Sequence, residues 1–207
     1  MPEAENLHRE LVLASNNAGK LTELSAMLQP MGWKVRPQSN WLTEEAVEDG
    51  LSFIENALIK ARHAARFSGL PSLGDDSGLV VNALHGKPGI YSSRFAGELA
   101  NDQDNNDKLL RALKGVDLPD RTAHFYCAIA LVRHAEDPVP LIATGRWSGR
   151  ILEKPAGQGG FGYDPLFWVA ERNCSSAELP PGLKNRLSHR GQALTALAGQ
   201  MKNEFGV

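Results

Sequence analysis

Cysteine is scarce in this chain: Cys127 and Cys174 are the only two among 207 residues, and their spacing matches no zinc or redox motif. A disulfide-framed scaffold and a cysteine-built metal site are both excluded, and the pair reads as reduced, with Cys127 a core residue of the apolar run 125–132. Long hydrophobic runs are missing too. No stretch approaches the ~18 residues that cross a bilayer, and the opening MPEAENLHRE is acidic and polar, so neither a signal peptide nor a membrane anchor is expected and the chain is placed in the cytoplasm. Nor is there an excess of one charge. With 22 basic and 24 acidic side chains and a formal net charge of −2, the chain lacks the electrostatic footprint of a protein that holds a nucleic-acid duplex. A small anionic ligand, which needs only a local cluster of cations, is still allowed.

What is present is ordinary for a globular protein: 42% hydrophobic and 22% charged residues, with 20 glycines and 12 prolines that imply many tight turns. The length fits one domain over residues 1–207 with room for two lobes. Strand, loop and helix follow one another at the start, where the apolar run 10–14 meets Ser15-Asn16-Asn17 and then Leu21, Leu24 and Leu28 at helical spacing. Ser52-Phe53-Ile54-Glu55 predicts a capping box, opening a helix that Gly69 closes. A short strand over 72–74 is expected to enter an acidic turn, Asp75-Asp76-Ser77-Gly78, before a further strand over 79–84. A mostly solvated helix over 98–114, a hairpin of 121–133 with 141–147, and a last helix over 188–205 complete the pattern. Interleaved strands and helices with an antiparallel hairpin imply an α/β fold with a mixed sheet flanked by helices.

Five segments carry chemistry. Ser15, Asn16, Asn17, Ala18, Gly19 and Lys20 sit between a strand and a helix, where free backbone N–H groups and the helix dipole favour a phosphate that a lysine can neutralise. This is not a Walker A loop, because Ala14 and Leu21 stand where glycine and a hydroxyl residue are needed; the alternative is a helix-capping turn with a surface lysine. Asp75 and Asp76 are adjacent carboxylates whose repulsion makes sense if a divalent cation or an abstracted proton compensates them, although an Asp-rich turn also serves turn chemistry alone. Glu48 is a third carboxylate that could join the same metal. Asn56 and Lys60 share one helix face, opposite much of the alanine stripe, where a solvated face is the plain reading and a second phosphate-facing cation the functional one.

Gly157-Gln158-Gly159-Gly160-Phe161-Gly162 satisfies G-x-G-x-x-G formally, but Pro155 before it and Tyr163-Asp164-Pro165 after it rule out the dinucleotide fold. It leaves a glycine loop presenting Phe161 and Tyr163, on which a base could stack or which could fill the core, with Asp164 before a proline. Lys184, Ser188, His189 and Arg190 gather at the start of the last helix, a favourable place for an anion or an electron-rich carbonyl.

In this order the segments resemble the inosine triphosphate pyrophosphatase family. The match runs from Leu13-Ala14-Ser15-Asn16-Asn17-Ala18-Gly19-Lys20 through Ser52-Phe53-Ile54-Glu55-Asn56-Ala57 and Asp75-Asp76-Ser77-Gly78-Leu79, then Gly160-Phe161-Gly162-Tyr163-Asp164-Pro165, to Ser188-His189-Arg190-Gly191-Gln192-Ala193-Leu194. The resemblance implies an elongated mixed sheet, two lobes around a central cleft, a homodimer, and hydrolysis of non-standard purine triphosphates (ITP, dITP, XTP) to monophosphate and pyrophosphate with Mg²⁺. It also implies roles: residues 15–20 and Lys60 on the phosphates, Glu48 and Asp76 on Mg²⁺, Asp76 as general base, Ser77 touching substrate, and Phe161, Gly162, Tyr163, Asp164, Lys184, His189 and Arg190 on the nucleotide. Two departures stand out: Ala156 replaces an expected arginine, and Pro180-Pro181-Gly182 replaces a more polar stretch. The rivals are a P-loop NTPase, a pyrimidine-type pyrophosphatase, which would carry a Ser-x-Arg-Arg first loop, and a nucleotide sensor without turnover.

Overall fold

The structure, a computed structural model, describes residues 9–41 and 44–206; the first eight residues of the polar start lie outside them. The elements are β1 (Arg9–Leu13), α1 (Ala18–Leu28), β2 (Trp33–Pro37), α2 (Phe53–Ser68), β3 (Ser72–Val81), α3 (Asp102–Ala112), β4 (Thr122–Val132), β5 (Leu141–Ile151), β6 (Phe167–Val169), β7 (Cys174–Ser175), α4 (Pro181–Leu187) and α5 (His189–Phe205). The strands form one seven-stranded sheet in the order β2-β1-β3-β4-β5-β6-β7. β1 runs parallel to both β2 and β3, and β6 is antiparallel to β5 and β7. The sheet is therefore mixed, as the sequence predicts. No described helix is long and apolar enough to cross a membrane.

Two compact units emerge from the internal contacts: Met1–Asp76 with Ala128–Thr144 and Ala193–Val207, and Ser77–Cys127 with Gly145–Gln192. In the first, α1 starts where the Asn17 side chain accepts the Lys20 N–H at 3.1 Å, and it buries Leu24 and Leu28. Ser52 caps α2 by accepting the Glu55 N–H, and Gly69 ends it in the left-handed conformation that a residue without a Cβ adopts freely. The expected capping box is partial: the Glu55 carboxylate takes the Leu51 N–H and the Ser52 hydroxyl instead of the Ser52 N–H. The second unit has its own core, in which Leu79, Leu109, Phe125, Trp147, Leu166 and Phe167 are buried together.

One expectation is corrected here. The acidic turn at 75–78 is absent, because Ser72–Val81 is one continuous strand. Gly74 mimics turn punctuation, but its real constraint is distant: a Cβ there would lie 2.3 Å from the Ala57 carbonyl oxygen and 2.7 Å from the Ala61 nitrogen, so the glycine permits close approach of β3 to α2. α3 is mostly solvated, as its polarity predicts, with Asn105, Asn106 and Leu109 buried on its inner side. Before the last helix a separate α4 begins at Pro181, a position where the missing N–H of proline costs nothing.

The hairpin is present, since β4 and β5 are neighbours joined by residues 133–140, too few for a parallel crossover. Asp137 organises this connection. Its carboxylate, 1% exposed, accepts the Arg133 backbone N–H and Nε at 2.9 Å each, Arg133 Nη2 at 2.8 Å and the Val139 N–H at 2.9 Å. The Arg133 hydrogen bonds hold its pKa well below the ordinary carboxylate value. A carboxylate with a depressed folded pKa adds stability that is present above the unfolded value, about 4, and is lost as pH falls below it. We expect Asp137→Asn to lower stability by about 2 kcal/mol at pH 7 in urea titrations, with the deficit shrinking as the two proteins are compared at progressively more acidic pH.

Candidate active site

The first unit gathers three carboxylates and two lysines. Asp75 and Asp76 project from β3 and are both buried, at 5% and 9% exposure. Burying a carboxylate without a partner is unfavourable by several kcal/mol, and each has a cation: Lys20, at the start of α1, lies 2.9 Å from Asp75, while Lys60 Nζ, on α2, lies 3.3 Å from Asp76 Oδ1 and 3.0 Å from Glu48 Oε2. Burial pushes the Asp76 pKa up, Lys60 pulls it back, Glu48 pushes it up again, and the net shift is upward. For Lys60, burial opposes the ammonium, but Asp76, Glu48 and Asp75 together outweigh it and its pKa rises.

Asn56 lies among the buried alanines of α2, not on the opposite face, and it links two parts of this cluster. Its Oδ1 accepts the Gly50 N–H at 2.9 Å, and its Nδ2 donates to Asp76 Oδ2 at 3.2 Å. The loop carrying Glu48 and the strand carrying Asp76 are thus both tied to one helix. The sequence pairs Asn56 with Lys60 on a face away from the alanines, and its bond to Asp76, 20 residues on, shows only in the folded chain. Next to the cluster, Ser15 Oγ accepts the Asn17 N–H at 3.2 Å, Asn16 donates to Glu45 at 3.3 Å, and Asn16, Asn17, Ala18 and Gly19 are exposed ahead of the Lys20 ammonium. An exposed helix start with a lysine behind it suits a phosphate.

Glu48 and Asp76 fit Mg²⁺. They are hard oxygen donors within reach of one ammonium, and Mg²⁺ is commonly held by one or two carboxylates, leaving its other positions to water and phosphate oxygens. Among the described residues no group of three or more His, Cys, Asp or Glu side chains is arranged to hold a metal.

The second unit holds the remaining sequence-derived residues. The Phe161 ring is 66% exposed and has Lys184 Nζ 4.8 Å from its centroid. Tyr163 corrects the expectation of two presented aromatics: it is 5% exposed, packs in the core and donates its hydroxyl to the Ser92 carbonyl at 2.8 Å. Asp164 is also buried, and its carboxylate is bound by Lys184, by Ser176 Oγ at 2.8 Å and by the Phe161 N–H at 2.8 Å. It orders the loop. Gly162 is held from both sides by α3, its N–H by Asp102 at 2.6 Å and its carbonyl by Asn106 at 2.9 Å, a support that no local pattern announced.

At the start of α5, Ser188 accepts the Gly191 N–H at 3.1 Å and so caps the helix that begins with His189 and Arg190. The His189 ring stacks on Phe125, centroids 4.9 Å apart, and Arg190 reaches Ser77 Oγ at 3.5 Å. A Cβ at Gly191 would lie 1.8 Å from the Asn185 carbonyl oxygen, so glycine alone lets α4 and α5 meet this tightly. Ser77, His189 and Arg190 therefore form one local group within this unit.

A profile of the Ham1 family matches residues 11–200. The chain belongs to the Ham1 family. It is 58% identical over 190 residues to the dITP/XTP pyrophosphatase of Pseudomonas syringae pv. tomato, covering 91% of this chain and 94% of that protein, and 56% identical over 196 residues to the dITP/XTP pyrophosphatase of Methylococcus capsulatus, covering 95% and 98%. Among solved structures, a HAM1 protein from Coxiella burnetii superimposes with a TM-score of 0.91 at 47% identity, covering 94% of this chain and 99% of that one. The α/β architecture of this Ham1 chain is thus that of its family.

Gly74→Ala tests the close approach that places the acidic strand beside α2. We expect a loss of ~1–3 kcal/mol from overpacking, read by urea denaturation, and a fall in turnover larger than the unfolded fraction accounts for.

Proposed function

We propose that this chain is a cytoplasmic, Mg²⁺-dependent pyrophosphatase that converts ITP, dITP and XTP to the monophosphate and pyrophosphate, keeping these bases out of DNA and RNA, and that it works as a homodimer of single-domain chains. The observation that carries the reading is the buried Asp76, raised in pKa and bracketed by Lys60, Glu48 and Asn56. A pure anion binder gains nothing from three carboxylates. The names of the relatives from Pseudomonas and Methylococcus support the same reaction.

In this proposal the helix start at 15–20 and Lys60 take the phosphate chain. Glu48 and Asp76 hold the cation, which when bound supplies positive charge to the phosphates and to the departing pyrophosphate. Asp76, a stronger base than a free aspartate, removes a proton from water as the water attacks and the bond between the α- and β-phosphates breaks. Asn56 fixes the orientation of that carboxylate. Base recognition falls to the exposed Phe161 face and to Lys184, His189 and Arg190, with Ser77 touching substrate. Donors from His189 or Arg190 suit the acceptor at position 6 of hypoxanthine and xanthine; adenine presents a donor there and leaves a buried polar group unpaired. Gly162, Tyr163 and Asp164 act by shaping the loop.

Purified protein with Mg²⁺ is expected to yield monophosphate and pyrophosphate from ITP and XTP, with ATP turned over at least about 100-fold less efficiently, and Asp76→Asn is expected to abolish turnover. Release of orthophosphate or equal use of ATP contradicts the assigned reaction; a fully active Asp76→Asn contradicts the assigned base.

A further inference from the structure

Between the two carboxylates assigned to the metal stands an ammonium. Lys60 Nζ bonds Glu48 Oε2 at 3.0 Å and Asp76 Oδ1 at 3.3 Å, with only 15% of its side chain exposed. A cation there satisfies the same oxygens that a divalent ion needs, so the two compete for one position. Lys20 does not fill that place, being paired with Asp75. Asn56, one helical turn before Lys60, holds both Asp76 and the Gly50 N–H beside Glu48, so the Asp76 carboxylate and the backbone next to Glu48 stay anchored if the ammonium leaves. Lys60 itself ends a flexible four-carbon stem that can withdraw.

We infer that Lys60 is the resident counter-ion of Glu48 and Asp76, that a divalent cation must displace it to bind, and that the displaced ammonium is then the one offered to the phosphate chain. The inference rests on the reading of Glu48 and Asp76 as metal ligands. It makes metal binding to the nucleotide-free protein weak and couples it to the triphosphate, which gives the freed ammonium a new partner. Free of metal, the protein keeps its buried acids neutralised.

The test is Mn²⁺ binding without nucleotide, read as loss of the free-ion electron paramagnetic resonance signal, for the wild type, Lys60→Met, Lys60→Gln, Lys60→Arg and Glu48→Gln, with thermal melting of each with and without Mn²⁺. Removing the competing charge should tighten Mn²⁺ binding about tenfold or more in Lys60→Met and Lys60→Gln. Both variants should melt below the wild type without metal and recover more than the wild type when Mn²⁺ is added. Lys60→Arg, which keeps the charge, should bind as weakly as the wild type. Unchanged or weaker Mn²⁺ binding in the Met and Gln variants, with Glu48→Gln weakened, overturns the displacement while leaving the ligand assignment intact. Binding that Glu48→Gln does not alter overturns the ligand assignment and the displacement with it.

Discussion

Charge compensation in a buried place is the constraint on which the rest depends. Asp75 and Asp76 stand on a strand whose residues are nearly all buried, where a lone carboxylate would take up a proton rather than remain ionised. Lys20 and Lys60 keep them charged, and both lysines arrive from helices, so the helices must come close. α2 does so because its inner face is built of Ala57, Ala61, Ala64 and Ala65, small enough for the backbone of Gly74 to approach within contact of the helix. Replacing any of these with a larger side chain would move Lys60 away from its acids before it touched a chemical group.

The glycine loop solves a different problem. Glycines at 157, 160 and 162 adopt positive φ, which lets the chain turn sharply but leaves it without side chains to fix its course. Order is supplied from outside: Asp164 binds the Phe161 N–H, and Asp102 and Asn106 hold the two sides of Gly162. The Phe161 ring stays exposed because the loop is anchored through backbone groups, its own N–H among them, and not through the ring. An exposed aromatic face on an anchored backbone loses little freedom when a planar base stacks on it.

Local signals in the sequence were reliable wherever the physics was local. Asn17, Ser52 and Gly69 start and stop helices by bonds to their own neighbours, so α1 and α2 were legible, as were the hairpin and the final helix. β3 departs from the turn that its sequence suggests because the reason for Gly74 lies on another element, and a glycine beside two aspartates looks like a turn when its partner is unseen. β2 is short and ends at Pro37, and β6 and β7 are shorter still, leaving too few residues for a period to show. In the candidate site the charged residues are visible as motifs, whereas the bonds made by Asn56 and Asn106 are not. Their partners Asp76 and Gly162 lie 20 and 56 residues away, and only the folded chain brings them together.

Keeping Asp76 buried and ionised carries a stability cost that its proposed role as base explains. Carboxyl ¹³C NMR titration of Asp76 in the metal-free protein addresses this claim most directly. Burial and Glu48 against Lys60 predict a midpoint above that of free aspartate, about 3.9; a midpoint at or below that value would mean that the lysines dominate, and that Asp76 is an ion-paired structural carboxylate and not a base.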